Sequence, residues 1–212
     1  SYTITVSGFG SHTTASKTYK IPFGTSYTVS ASSVQGFSVT NSQSFTANSV
    51  SRTVTMEYIL SIVDLSKQDI FGNPISQTTA NSYVVKEAGL YIFPLVYGNA
   101  IKNGSTNSVA YTKVSGSNTH NFVNYNNVAI SSPYIETDTK KTVSSVELSM
   151  ADTDSIFADF NIINGDKCRY VQFEVKSIPA TGANGVISVK DSSGTIMWSW
   201  HIWVWADDLT PI

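Results

Sequence analysis

The sequence predicts an all-β protein of two β-sandwich, Ig-like units in tandem, with little or no helix. Three observations lead there. Apolar residues alternate with polar ones at period two, the signature of half-buried strands. Turn-forming residues recur about every 8–12 positions, the spacing of a sandwich or small barrel. The polar residues are mostly uncharged: Asp, Glu, Lys and Arg make up 13% of the 212 residues, against roughly 25% in average soluble domains. Ser, Thr and Asn suit strands and turns and weaken helix interiors.

The first unit is expected over residues 1–59. Tyr2, Ile4 and Val6 alternate with Thr3, Thr5 and Ser7 before Gly8 and Gly10 break the chain. Tyr19, Ile21 and Phe23 alternate next, then Tyr27, Val29 and Ala31, then Phe37 and Val39, then Val54, Met56 and Tyr58. In pattern this stretch resembles small Ig-like or stalk-type repeats of bacterial surface proteins.

The second unit is expected over residues 60–212, opening with a strand at 60–65. The Phe71-Gly72-Asn73-Pro74 segment is a turn, because Gly and Asn tolerate positive φ and Pro presets its own φ. Further strands are expected at 83–86, 90–96, 109–114, 122–125, 143–150, 156–163, 170–176, 185–191 and 195–205. Asp191, Ser192, Ser193 and Gly194 read as the hairpin turn between the last two. Helix competes only at 149–160, where Asp152 or Thr153 is placed to cap it. No βαβ alternation occurs, which argues against a parallel α/β sheet.

All four tryptophans fall in the final strand: Trp198, Trp200, Trp203 and Trp205. Residues two apart share a face. Ile196, Trp198, Trp200, Ile202 and Val204 form one continuous apolar face, expected in the core. Met197, Ser199, His201, Trp203 and Trp205 form the other. Trp203 and Trp205 are candidate ligand contacts because an exposed indole stacks on sugar rings, and His201 lies between them and the polar part of that face. The remaining tryptophans are expected to be buried, each indole N–H with a partner.

The segment 187–204 resembles a motif recurring in fimbrillin-like surface proteins of Bacteroidetes. A second motif of that group stands upstream in the same order: Ala80, Asn81, Ser82, Tyr83, Val84 and Val85, then Gly89, Leu90, Tyr91, Ile92, Phe93 and Pro94, then Gly98 and Asn99. Ser82 stands where such proteins often carry Cys, and 100–165 matches no motif of the group. The resemblance implies an outer-surface location, a Bacteroidetes-type bacterium or one of its phages, and a β-sandwich. It implies neither pilus polymerisation nor a catalytic residue.

No motif for catalysis or metal binding stands out. Cys168 is the single cysteine, so no disulfide framework or thiolate cluster is available. Lys167 and Arg169 flank it, but the adjoining apolar pattern reads as a half-buried strand cysteine. Asp152, Asp154 and Asp159 fail as an EF-hand loop, since its sixth and twelfth positions are Phe157 and Ile163. They read as capping or solvated acids, and Asp207 and Asp208 as an exposed strand end. His12, His120 and His201 show no zinc spacing. No nucleophile elbow is present, and the glycines at 182–185 precede a strand, so no helix N-terminus is offered to a phosphate. A net charge of −2 with scattered cations sets nucleic acid aside. No apolar run approaches the roughly 20 residues of a membrane helix. Opening on Ser1 and closing on Pro211 and Ile212, the sequence reads as a processed or cut chain.

The expectation is therefore a non-catalytic, exported, surface-exposed structural or adhesive module, without cofactor or metal and without membrane insertion. Its partner would be a host glycan, a host protein or sister subunits. A carbohydrate-binding module and a phage fibre or virion appendage are the alternatives.

Overall fold

The computed structural model of the chain describes residues 2–32, 37–40, 42–112 and 122–205. His120, Asp207, Asp208 and the end of the strand expected at 109–114 lie outside these residues. Strand makes up 43% of the structure and helix 7%, so the protein is all-β. The chain forms two compact units, Ser1–Ser61 and Ile62–Ile212.

The first unit holds β1 (Ile4–Val6), β2 (Gly10–His12), β3 (Ser26–Ala31), β4 (Phe37–Val39), β5 (Gln43–Thr46) and β6 (Tyr58–Leu60). Its sheet runs β2-β1-β3-β5, all antiparallel, and β4 and β6 form a separate antiparallel pair. Val6, Tyr27, Val29 and Ala47 are buried, and Tyr27 gathers Phe9 and Phe45 at ring-centroid distances of 5.8 and 6.0 Å. The expected strand at 19–23 is absent: Tyr19 packs on Phe9 as a loop residue, while Phe23 is exposed. The expected 54–58 strand forms only from Tyr58, and β2 and β5, rich in Gly, Ser, Gln and Thr, carry too little apolar pattern to be seen.

The second unit contains β7 (Ile62–Asp64), β8 (Ser82–Val85), β9 (Gly89–Pro94), β10 (Ile101–Lys102), β11 (Ser105–Thr106), helix α1 (Ile135–Thr139), β12 (Ser145–Ala151), β13 (Phe157–Ile163), β14 (Tyr170–Val175), β15 (Ala183–Lys190) and β16 (Ile196–Val204). The strand expected at 60–65 is divided: Leu60 pairs back onto β4, Ile62 opens β7, and Leu65 begins a 3-10 turn.

Two four-stranded sheets form the body of this unit, in orders β12-β15-β16-β8 and β13-β14-β9-β7. Neighbours are antiparallel except β16–β8 and β7–β9. The sheets face each other through aromatic side chains. Phe93 on β9 stands 5.2 Å from Tyr83 on β8, 4.8 Å from Trp200 on β16 and 6.0 Å from Phe173 on β14, centroid to centroid. Val171, Phe173 and Val175 on β14 and Ile187 and Val189 on β15 complete the core, all fully buried. Each such side chain stabilises the fold by about 1.5–3 kcal/mol on burial.

The glycine at 185 has a packing reason. It faces inward on β15, and a Cβ there would stand 2.7 Å from Phe157 Cζ on the opposite sheet. The Asp191 turn joins β15 to β16. Its carboxylate accepts from Ser193 N and Oγ and from Thr195 N at 2.9, 2.6 and 3.0 Å, and from the Tyr125 hydroxyl at 3.0 Å. The Ser193 hydroxyl, against burial, leads in holding this carboxyl down at about 2.

Helix is minor. Residues 149–160 contribute only a 3-10 turn, Asp154–Ile156, whose N-cap Thr153 makes no side-chain cap bond. The one α-helix of the described residues, α1, falls where no periodicity marks it. It is held by the buried Ile135 and stopped by Lys140 at φ 56°. The expected strand at 122–125 reduces to a single bridge between Val123 and Ala129, and Ser108–Ala110 is a 3-10 turn. Among the described residues no helix is long and apolar enough to cross a membrane, which says nothing of β-barrels.

Gly185→Ala should shift the Phe157 ring and cost about 1–3 kcal/mol. Guanidinium unfolding should show a lower midpoint at an unchanged slope.

Candidate functional site

The phase of β16 decides which of its side chains meet solvent. Trp200, Ile202 and Val204 point into the core and are essentially inaccessible. His201 and Trp203 therefore point outward, His201 half-buried and Trp203 45% exposed. The alternation does not run to the start of the strand. Val189 pairs with Trp198 but Lys190 with Ile196, so Met197 is an extra residue. This bulge turns Met197 into the core at 1% exposure and Ile196 out at 44%. Ile196 is thus not core, and Trp198 is only half-buried.

Of the two indoles expected to be buried with a partner, Trp198 has one and, among the described residues, Trp200 does not. Trp198 Nε1 donates to Asn81 Oδ1 at 3.0 Å, and Trp203 Nε1 donates to His201 Nδ1. Trp200 Nε1, in the centre of the core, has no acceptor among the described residues. Its ring contact with Phe93 wins over a hydrogen bond.

His201 and Trp203 belong to a chain of hydrogen bonds across three strands. Asp152 follows β12; its two carboxylate oxygens accept from Asn184 N at 2.8 Å and Asn184 Nδ2 at 3.0 Å. The Asn184 Oδ1 is 3.0 Å from His201 Nε2. His201 Nδ1 then accepts from the Trp203 indole, the two rings meeting edge-on at 66° with centroids 5.4 Å apart. Strand pairing sets this up: Asn184 is the register partner of Trp203, and Val186 of His201. The Asn184 backbone and side-chain N–H groups hold the Asp152 carboxyl below its ordinary value. Burial lowers His201, with the Asp152 charge opposing. Met150, Val186 and Val84 lie on the same face, Met150 largely exposed. The result is an indole fixed in place on a largely uncharged sheet surface.

Trp205 stands just beyond β16. Its backbone N–H donates to Val85 O at 2.9 Å, and its ring lies against the Gly182 turn. It is partly exposed but takes no part in the relay. Sequence reading singled out His201 and Trp203 and missed Asn184, and it assigned Asp152 to capping. Asp152 and Asn184 lie 32 residues apart, and only the β12–β15 pairing brings them together.

The two motifs at 80–99 and 187–204 also meet. β8 pairs in parallel with β16, and Asn81 O accepts from His201 N at 2.8 Å. The Asn81 side chain holds Trp198 and packs on Gly98, where a Cβ would stand 2.9 Å from Asn81 Nδ2. Tyr97 meets Trp198 edge-on at 4.9 Å.

A concavity lies at the start of β14. Two adjoining depressions of about 230 and 200 Å³ share Tyr134, Asp166, Lys167 and Cys168. Cys168 sits in the bend before β14, not within a strand, and burial pushes its thiol up to about 11. Burial thus disfavours its thiolate form. The Arg169 guanidinium is occupied by both Glu136 carboxylate oxygens and by Val143 O. Among the described residues no group of three or more His, Cys, Asp or Glu side chains is placed to hold a metal ion.

Asn81→Ala should cost about 1 kcal/mol by leaving the Trp198 N–H without its acceptor. In a Trp198→Phe background the same change should cost less. A double-mutant cycle of unfolding free energies reads this coupling.

Comparison of the chain with protein-family models, curated proteins and solved structures found no match.

Proposed function

We propose that the protein is a non-catalytic, surface-exposed adhesive module of a Bacteroidetes-type bacterium, and that it binds a host glycan on the outer face of the β12-β15-β16-β8 sheet. The observation that carries this reading is Trp203. The residue is 45% exposed, while its N–H is already used within the protein. What it offers a ligand is an apolar ring face. A pyranose presents a complementary face of C–H groups, and an aromatic side chain held in advance loses little entropy on contact. The low surface charge suits a neutral ligand better than an ionic one.

The resemblance of residues 80–99 and 187–204 to fimbrillin-like proteins supports export to the outer surface and a β-sandwich for the second unit, and the stalk-type pattern of residues 1–59 supports an Ig-like character for the first. A host protein or a sister subunit would also meet this face. The glycan is favoured because one exposed indole flanked by Val84, Val186 and Met150 is a small target beside the ~800 Å² per partner of a stable protein interface.

On a glycan array the wild-type chain should bind pyranose-containing ligands, and Trp203→Ala should weaken the best of them about tenfold, the loss of about 1.4 kcal/mol of stacking. Trp205→Ala should change binding less than Trp203→Ala. Absence of binding by a folded wild-type chain would sink the reading. A trimer in light scattering would favour a fibre or virion appendage over a bacterial adhesin.

A further inference from the structure

We infer that His201 is a pH gate on the Trp203 face: the neutral imidazole holds the indole in place, and protonation releases it. Its consequence for ligand binding rests on the glycan reading above. The gate itself is a property of four side chains and stands apart from any ligand.

The relay admits only one protonation pattern. An ionised Asp152 carboxylate only accepts, so the Asn184 amide nitrogen faces it and the amide oxygen faces His201. An amide oxygen also only accepts, so His201 Nε2 carries a proton. An indole N–H only donates, so His201 Nδ1 must be bare to receive Trp203. The ring is the neutral Nε2–H tautomer. A second proton can enter only at Nδ1, where it would point at the indole N–H. Two donors would then face each other, and the Trp203 ring must leave its position.

The surroundings of His201 set the direction of the response. From β12 come Asp152 and, further along the face, Glu147, which is ion-paired with Lys190 of β15. β15 also supplies Asn184 and the uncharged Val186; β8 supplies Ser82 and Val84, with Lys86 beyond its end. Of these, Asp152 favours the charged imidazole, and its oxygens are already engaged by Asn184. Burial favours the neutral form and prevails. A folded-state value below the ordinary one means that the neutral arrangement is fully present above the unfolded value of about 6.5. It is lost as pH falls through the lower folded value. The gate therefore holds Trp203 at neutral pH and opens in acid.

The test is a pH titration of the full chain labelled with ¹⁵N, following the indole N–H signals and the His201 ring nitrogens. Trp203 is assigned by its loss in Trp203→Phe. The expected result is that the Trp203 indole signal shifts together with His201, with a midpoint below about 6.5, while the Trp200 signal stays in place and reports an intact core. In His201→Gln, which cannot titrate, the Trp203 shift should vanish. The gate is overturned if His201 takes its proton and the Trp203 signal does not move, or if the same shift persists in His201→Gln. The glycan array repeated at about pH 7 and 5 reads the consequence: about tenfold weaker binding in acid for wild type and no loss for His201→Gln. Equal binding by wild type at both values overturns the gating of the ligand. Absence of binding at any pH refutes the glycan reading instead, and the titration still decides the gate.

Discussion

The larger unit depends on the burial of Phe93 between its two sheets. The ring lies at zero exposure and contacts Tyr83, Phe173 and Trp200 from three different strands. Because strand side chains alternate, committing Trp200 to that contact commits Ile202 and Val204 to the core and His201 and Trp203 to the surface. A slip of one residue would exchange the two sets. The Trp200 N–H, without an acceptor among the described residues, shows how strongly packing prevails, since a buried donor without an acceptor costs about 1–3 kcal/mol. The Met197 bulge allows the opposite choice at the start of the same strand, placing Met197 inside and Ile196 outside.

Several carboxylates of this weakly charged chain hold backbone. Asp64 accepts from Ser66 N, Asp69 from Phe71 and Asn73 N, Asp138 from Ser131 N, Asp152 from Asn184 N, and Asp191 from Ser193 and Thr195 N. Glu136 does the same for Val143 N while gripping Arg169. Charge-assisted bonds to backbone N–H groups are stronger than neutral ones, so a protein with many turns and few ions uses its acids where turns need closing. Of the acids at 152, 154 and 159, Asp152 takes this role.

The Asp152–Asn184–His201–Trp203 relay joins these two themes. The core orients β16, and a carboxylate that anchors β15 also orders the side chains across the sheet face. An exposed tryptophan on a free strand would sample several rotamers; here its N–H is tied to a histidine of fixed tautomer. A prearranged apolar ring face on a largely uncharged sheet surface is the physical basis for reading this surface as an adhesive one.

The all-β class was legible from composition and period-two alternation, because both follow from local chemistry: side chains two apart share a face wherever a strand forms. So were β9, β14, β15 and β16 and the Asp191 turn, whose apolar alternation and Gly194 are strong local signals. The choice of His201 and Trp203 came from the same alternation. Other features were decided only in three dimensions. β2 and β5 form because a neighbouring strand supplies hydrogen bonds, not because their own residues demand it. Helix α1 is held by the buried Ile135 and by the bonds of Glu136 and Asp138 to other segments, without a helical period of its own. The Met197 bulge reverses the facing of residues 196 and 197, and local alternation carries no trace of it. Asn184 and Asp152 join the site through strand pairing between segments far apart in sequence. Local periodicity thus determined which residues face together, while register and packing between sheets determined which of those faces is buried and which meets the solvent.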